Sequence, residues 1–200
     1  MSRAAGCASY RQKAYSSDGE NRHSRESGNP VTTGLVSLAP RVLDRPVKPG
    51  DDKMTIRFFS KSETHREFSN FAAFPFDLDG KRWPSVEHYY QAQKFADPEL
   101  QKTIRQAEKP PIAKGLADKN KASIRADWES VKDEVMERAV RRKFELHAEL
   151  RQLLLSTGDE ELPEAAPTDY YWGVGRDGNG QNKLGLILMR LRAELRRALP

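Results

Sequence analysis

With one cysteine, Cys7, in 200 residues, this chain can form no internal disulfide and no cysteine-based metal site. Histidine is scarce as well. His23, His65, His88 and His147 lie far apart, and no two have the spacing of a helical zinc motif. No metal and no cofactor is therefore expected. No stretch approaches the ~18 apolar residues of a membrane helix, so no membrane partner is expected either. The cysteine count suits a reducing, cytoplasmic setting. Nor is charge lopsided enough to announce a polyanion. The formal net charge is +5, but residues 1–53 hold nine Lys/Arg against six Asp/Glu, which places +3 there and leaves +2 for residues 54–200. Also missing is the alternating strand–helix rhythm of a doubly wound sheet or a (β/α) barrel.

Residues 1–53 are rich in Ser, Gly, Asn, Arg and Pro, with no aromatic beyond Tyr10 and Tyr15. Such a segment cannot offset its ordering entropy by burial, and it is expected to be a disordered extension. Two pieces of it, residues 22–30 and 48–52, read like a translated palindromic intergenic repeat. Patterned sequence starts directly after Met54. We expect translation to begin there, and N-terminal sequencing of the native protein that finds Met1 would overturn this. Residues 54–200 are expected to form one domain.

Within that domain, residues 55–59 are short, β-branched and aromatic, which predicts a strand. Residues 74–83 predict a hairpin about the Asp79-Gly80 turn. Helices are predicted over 85–95, 98–107, 110–119, 128–146, 147–156 and 184–195, with Asp127 capping the fourth. Val131, Val135, Met136, Ala139, Val140 and Phe144 give that fourth helix its apolar stripe. Gly158 fits a helix-ending position, and residues 162–166 predict a short strand. The basic runs 141–143 and 190–197 read as solvated helix faces. The fold class is α+β, mostly helical, with a small antiparallel sheet.

Chemistry concentrates in two segments. Residues 82–95, RWPSVEHYYQAQKF, place Glu87, Tyr90, Gln91 and Lys94 at i, i+3, i+4 and i+7, on one helix face. Trp83, Tyr89 and Phe95 around them suggest an aromatic wall, with polar groups aimed into a cleft. His88 reads as a hydrogen-bonded structural histidine. Residues 169–182, DYYWGVGRDGNGQN, combine Asp169 and Trp172 with glycines that permit close backbone approach. That loop reads either as a plain turn before the last helix or as a ligand loop. Asn70, between Ser69 and Phe71, can both donate and accept, which suits a ribose hydroxyl or a base, and a loop cap would look the same. Trp128 either packs in the core or stacks on a planar ligand.

Taken together, EFSNF (67–71), LDGKRWPSVEHYYQAQKF (78–95), IRADWESVKDEVMERAVRRKF (124–144), LLLSTGDEEL (153–162) and the run from Asp169 to Arg192 resemble the NADAR (YbiA-like) family of N-glycosidases. The resemblance covers about residues 56–197. It implies a compact α+β domain that hydrolyses the bond between a ribose and a nitrogenous group, without metal. The implied substrates are phosphoribosylamino-pyrimidine intermediates of riboflavin synthesis or, alternatively, ADP-ribosylated guanine in nucleic acid. A non-catalytic binder of ADP-ribose or NAD-like ligands is the competing class. By position in the family's motifs, Glu87, Asp169 and Trp128 are implied as catalytic. Asn70, Lys94 and Asn182 are implied in substrate binding, alongside Trp83, Trp172 and Gly173 read from the two dense segments. One departure stands out: Thr64-His65-Arg66 replaces the family's usual Tyr-Gly before this motif. Arg66, Lys81, Arg82, Lys109, Lys114 and Arg176 could rim the cleft for a nucleic acid, although solvated loops explain them equally well. The oligomeric state is left open.

Overall fold

The computed structural model describes residues 55–198. The extension read over residues 1–53, and the start expected at Met54, lie outside the described residues. The described part is a single α+β domain of six helices and one two-stranded antiparallel sheet.

The sheet is the predicted hairpin. Strands β1 (Phe76–Leu78) and β2 (Lys81–Trp83) pair with Phe76 opposite Trp83 and Leu78 opposite Lys81. Asp79 and Gly80 turn the chain with φ of 53° and 70°, the doubly left-handed conformation that a two-residue hairpin loop requires. The Asp79 carboxylate then ties the tip to the body, accepting from the Tyr89 hydroxyl at 2.8 Å and from Arg138 Nη2 at 2.7 Å.

Helix α1 (Val86–Ala92) lies at the centre, packed against α2 (Pro98–Arg105), α3 (Pro110–Lys119) and α4 (Trp128–Leu146). All seven of its residues are buried, polar ones included. Seven residues are too few to hold a helix by propensity, so its order comes from packing and capping. Ser85 caps it, accepting from the His88 N–H. His88 is locked in turn, with Nδ1 at 2.8 Å from Ser85 Oγ and Nε2 at 3.1 Å from the Ala107 carbonyl. Only a protonated Nε2 can bond that carbonyl, and burial lowers the pKa of the ring, so it is a neutral structural histidine.

Helix α4 carries the predicted apolar stripe, with Val135, Met136, Ala139, Val140 and Phe144 in the core. Asp127 stands at its N-cap position but does not cap it by side chain, because Arg125 holds both carboxylate oxygens. Helix α5 (Ala148–Ser156) follows, then Gly158 at φ 58°, and α6 (Lys183–Arg197) closes the domain.

Two expectations are corrected. Lys143 and Arg192 are buried rather than solvated. Lys143 shares the α4 stripe and donates to the carbonyls of Glu67, at 2.5 Å, and Ser69, at 3.0 Å, in the short 3-10 turn and loop that precede β1. Arg192 donates to Thr157 Oγ1 at 2.6 Å and to the Glu160 carbonyl at 2.9 Å. The strands predicted at 55–59 and 162–166 also shrink, to two parallel bridges that pair Thr55 with Glu161 and Phe58 with Glu164. Parallel pairing of pieces this short cannot build a continuous ladder, and the loop before α6 takes the remaining partners.

Candidate active site

Helix α1 begins where the chain leaves β2, and Pro84-Ser85 fixes that start. One side of the helix, bearing Glu87, Tyr90, Gln91 and Lys94, then forms a wall of a cavity of about 440 Å³. Asn70 and Phe71 close it from the loop latched by Lys143. Pro111 and Lys114 enter from α3, and Glu164, Thr168, Asp169 and Trp172 come from the segment between α5 and α6.

Glu87 is 2 % exposed, yet it reaches this cavity. Asn70 Nδ2 donates to its Oε2 at 2.5 Å and Gln91 Nε2 to its Oε1 at 2.7 Å, while the Glu87 N–H donates to the Asn70 carbonyl at 2.9 Å. Burial pushes its carboxyl up to about 7, against the opposing pull of the Gln91 hydrogen bond and the nearby charges of Lys94 and Lys114. A group so placed exchanges a proton near neutral pH, as general acid–base chemistry needs.

Two further carboxyl groups share the space. Burial, reinforced by the neighbouring charges of Asp169 and Glu87, pushes Glu164 up to about 8. Asp169 is half-buried, and its Oδ1 accepts from the N–H groups of Tyr171, at 2.9 Å, and Trp172, at 2.7 Å. That turn fixes the direction of the carboxylate. Lys94 is the facing cation. Burial lowers its pKa, Glu87 opposes the shift, and its Nζ stands 5.4 Å from the centre of the Tyr90 ring. Tyr90 meets Trp172 edge-on at 5.4 Å, so an aromatic flank lies beside the charged groups. A sheltered cavity with several carboxyls, ammonium groups and aromatic edges can bind a small polar ring compound and shuttle protons to it.

The NADAR domain model matches residues 57–196. The chain belongs to the NADAR family. It is 49% identical over 140 residues to N-glycosidase YbiA of Escherichia coli (strain K12), covering 70% of this chain and 88% of that protein. The NMR structure of E. coli YbiA superposes with a TM-score of 0.67 at 47% identity, over 72% of this chain and 86% of that one. A riboflavin biosynthesis protein of Vibrio vulnificus is 43% identical over 145 residues, covering 72% of this chain but 40% of that protein. This NADAR chain is accordingly an enzyme of the N-glycosidase class, and the cavity is its candidate active site.

The NADAR fold brings five of the predicted site residues together at the cavity: Asn70, Glu87, Lys94, Asp169 and Trp172. Four others do not line it. Trp83 is buried behind α1, its Nε1 donating to the Leu78 carbonyl at 3.0 Å and its ring edge-on to Tyr89 at 5.1 Å. Trp128 is buried one layer back, meeting Tyr90 at 5.0 Å. Gly173 approaches protein rather than ligand, since a Cβ there would lie 2.7 Å from the Glu164 carbonyl oxygen. Asn182, at φ 50°, accepts from the Glu164 N–H at 2.9 Å and donates to the Leu162 carbonyl at 3.2 Å. Of the six rim cations, only Lys114 lines the cavity. Arg66 borders a neighbouring depression, while Arg82 pairs with Asp77 and Lys109 with Glu108.

Sequence reasoning passed over Glu164. Its signal was period-two alternation, because Leu162, Glu164 and Ala166 are all buried while the residues between them are less so. An acid on the inward side of a predicted strand is the mark to look for.

Proposed function

We propose that this NADAR enzyme hydrolyses the C1′–N bond of a phosphoribosylamino-pyrimidine of the kind formed in riboflavin synthesis. The carrying observation is the cavity itself, whose volume of about 440 Å³ and lining of aromatic rings with a few carboxyl, amide and ammonium groups suit one small nucleotide-like metabolite. The Vibrio relative, named for riboflavin biosynthesis, supports the same substrate class.

Cleavage of a ribosyl C–N bond passes through a state with positive charge at C1′ and the ring oxygen. A carboxylate facing that charge stabilises it, and a second carboxylate can take the proton of the attacking water. We assign the water to Glu87, whose two amide partners favour the ionised form, and the charge to Asp169, whose orientation the 169–172 turn fixes. Lys94 and Lys114 suit the 5′-phosphate. Tyr90 and Trp172 flank the pyrimidine, and Trp128 supports Tyr90 from behind. Of the cations expected to rim the opening for a nucleic acid, only Lys114 lines the cavity, which supports a metabolite over a nucleic acid, because a polymer's flanking phosphates would call for more of them.

The test is turnover of a phosphoribosylamino-pyrimidine and of an ADP-ribosylated DNA oligonucleotide, each at two salt concentrations, with and without EDTA. Release of free aminopyrimidine, insensitive to salt and EDTA, is the expected result. Salt-sensitive cleavage of the DNA with the pyrimidine untouched would reverse the substrate assignment. Binding without product would make the protein a binder.

A further inference from the structure

Glu164 is a buried carboxyl in the cavity wall for which the hydrolysis just described has no task. It is 4 % exposed, and what remains open faces the groups that line the cavity. Those that titrate or carry charge are Lys61, Glu87, Tyr90, Lys94, Lys114 and Asp169. Beside burial, the charges that favour its protonated form are the acidic ones, Asp169 and Glu87. Glu87 and Glu164 thus sit in opposite environments within one space. Two amide N–H groups donate to the first carboxyl, whereas among the described residues no donor reaches the second. Donors favour an acceptor that has lost its proton, and a donor-free carboxyl beside other acids keeps its own.

The surrounding chain is built to hold that carboxyl in place. The Glu164 N–H donates to Asn182 Oδ1 at 2.9 Å, its carbonyl accepts from the Val174 N–H at 2.9 Å, and Phe58 bridges it from the other side. Gly173 and Gly185 carry no Cβ where one would strike the carbonyls of Glu164 and Leu162, at 2.7 and 1.9 Å. A buried acid without a cation costs stability, and a chain that fixes one so firmly without functional return is unusual.

We propose that Glu164 is the general acid that protonates the departing amine. This rests on the substrate reading above. As the C1′–N bond breaks, its electron pair passes to the amine nitrogen, which takes the proton of the Glu164 carboxylic acid. Water adds its oxygen to C1′ and gives one proton to Glu87. The products are the free aminopyrimidine and the ribose phosphate, with Glu164 ionised and Glu87 protonated. One proton returned from Glu87 to Glu164 through solvent restores both groups.

The roles predict a bell-shaped dependence of kcat on pH, rising as Glu87 ionises and falling as Glu164 does. The experiment measures kcat and KM for a phosphoribosylamino-pyrimidine from pH 5.5 to 9.5, with wild type, Glu164→Gln and Glu164→Asp, alongside their thermal unfolding. Glu164→Gln should lose ~10²-fold or more in kcat with KM little changed. The alkaline fall should vanish from whatever activity remains. Glu164→Asp, still an acid, should keep that fall and recover part of the rate. A wild-type kcat that stays level to pH 9.5 would overturn the acid role without recourse to any variant. So would an alkaline fall left in place in Glu164→Gln, or a loss confined to KM. Wild type that releases no aminopyrimidine at all would instead defeat the substrate reading, and the acid role with it.

Discussion

Helix α1 offers its side chains to the cavity, whereas the turn at residues 173–182 offers its backbone to the protein. Both segments are dense in the residues that chemistry uses. In α1, order comes from burial on every side, and the face left toward the cavity carries Glu87, Tyr90, Gln91 and Lys94. In the turn, glycine and Asn182 accept conformations and close approaches that other residues resist, and Gly173 and Asn182 make theirs against residues 162–166. One segment lines the cavity with polar side chains and the other holds the backbone of Glu164 in place. Density of functional residue types therefore marks a neighbourhood rather than a role.

The sharpest way to break this contrast is Glu87→Gln. Its kcat should fall ~10²–10⁴-fold, the scale of one acid–base group, while folding survives. The sign of the stability change follows from linkage. The folded carboxyl holds its proton up to about 7 and the unfolded one only to about its ordinary 4.5. Between those values the unfolded chain is the one that sheds the proton, so wild-type stability declines as pH rises through that window. The variant lacks that decline and should be relatively more stable at pH 8 than at pH 4.5, as urea midpoints at the two pH values will show. Unchanged turnover would remove Glu87 from the mechanism.

The clamp made by this turn and the first residues of α6 should fail in the opposite manner. Gly185→Ala puts a Cβ 1.9 Å from the Leu162 carbonyl oxygen and should destabilise the fold by about 3 kcal/mol, at the upper end for overpacking. Gly178→Ala, at φ 80° but with nothing within 4 Å, should cost only about 1 kcal/mol of backbone strain. Equal losses in urea unfolding would show that the turn is merely a turn and not a clamp.

Asn70→Ala tests the join between loop and helix. Losing the 2.5 Å hydrogen bond removes a donor that favours ionised Glu87, so the acid limb of the rate profile should move to higher pH. The rate at pH 7 should fall about tenfold, the equivalent of one charge-assisted hydrogen bond. A separate pH effect concerns Lys143, whose ordinary pKa of 10.5 burial lowers to about 7. Between those values the unfolded chain holds a proton that the folded one lacks, so wild-type stability should rise with pH in that window. Lys143→Met should flatten that rise between pH 7 and 9.5 in urea midpoints.

Much of the architecture was legible beforehand because it rests on local signals. Asp79-Gly80 names its turn type, prolines at positions 98 and 110 open their helices, and the α4 stripe follows the 3.6-residue period. Glu87 and Lys94 were legible through helical spacing and Asn70 through its motif, and all three reach the cavity. What stayed hidden depends on contacts between distant segments. The inward side of Glu164 is set by Phe58, Val174 and Asn182, none of them near it in sequence, and the burial of Lys143 is set by a loop more than seventy residues earlier. Trp83 misled because an aromatic beside a polar helix face can sit on either side of that helix, and here it packs behind.

The clamp on Glu164 also bears on the order in which the protein comes into being. Asn70, Glu87 and Gln91 can meet as soon as the first half of the domain has emerged from the ribosome. Phe58 and Val174 can engage the backbone at Glu164 earlier, but its clamp stays incomplete until Asn182 and Gly185 arrive with α6. On the roles proposed above, the base would take its place before the acid, and turnover would wait for the final helix to dock.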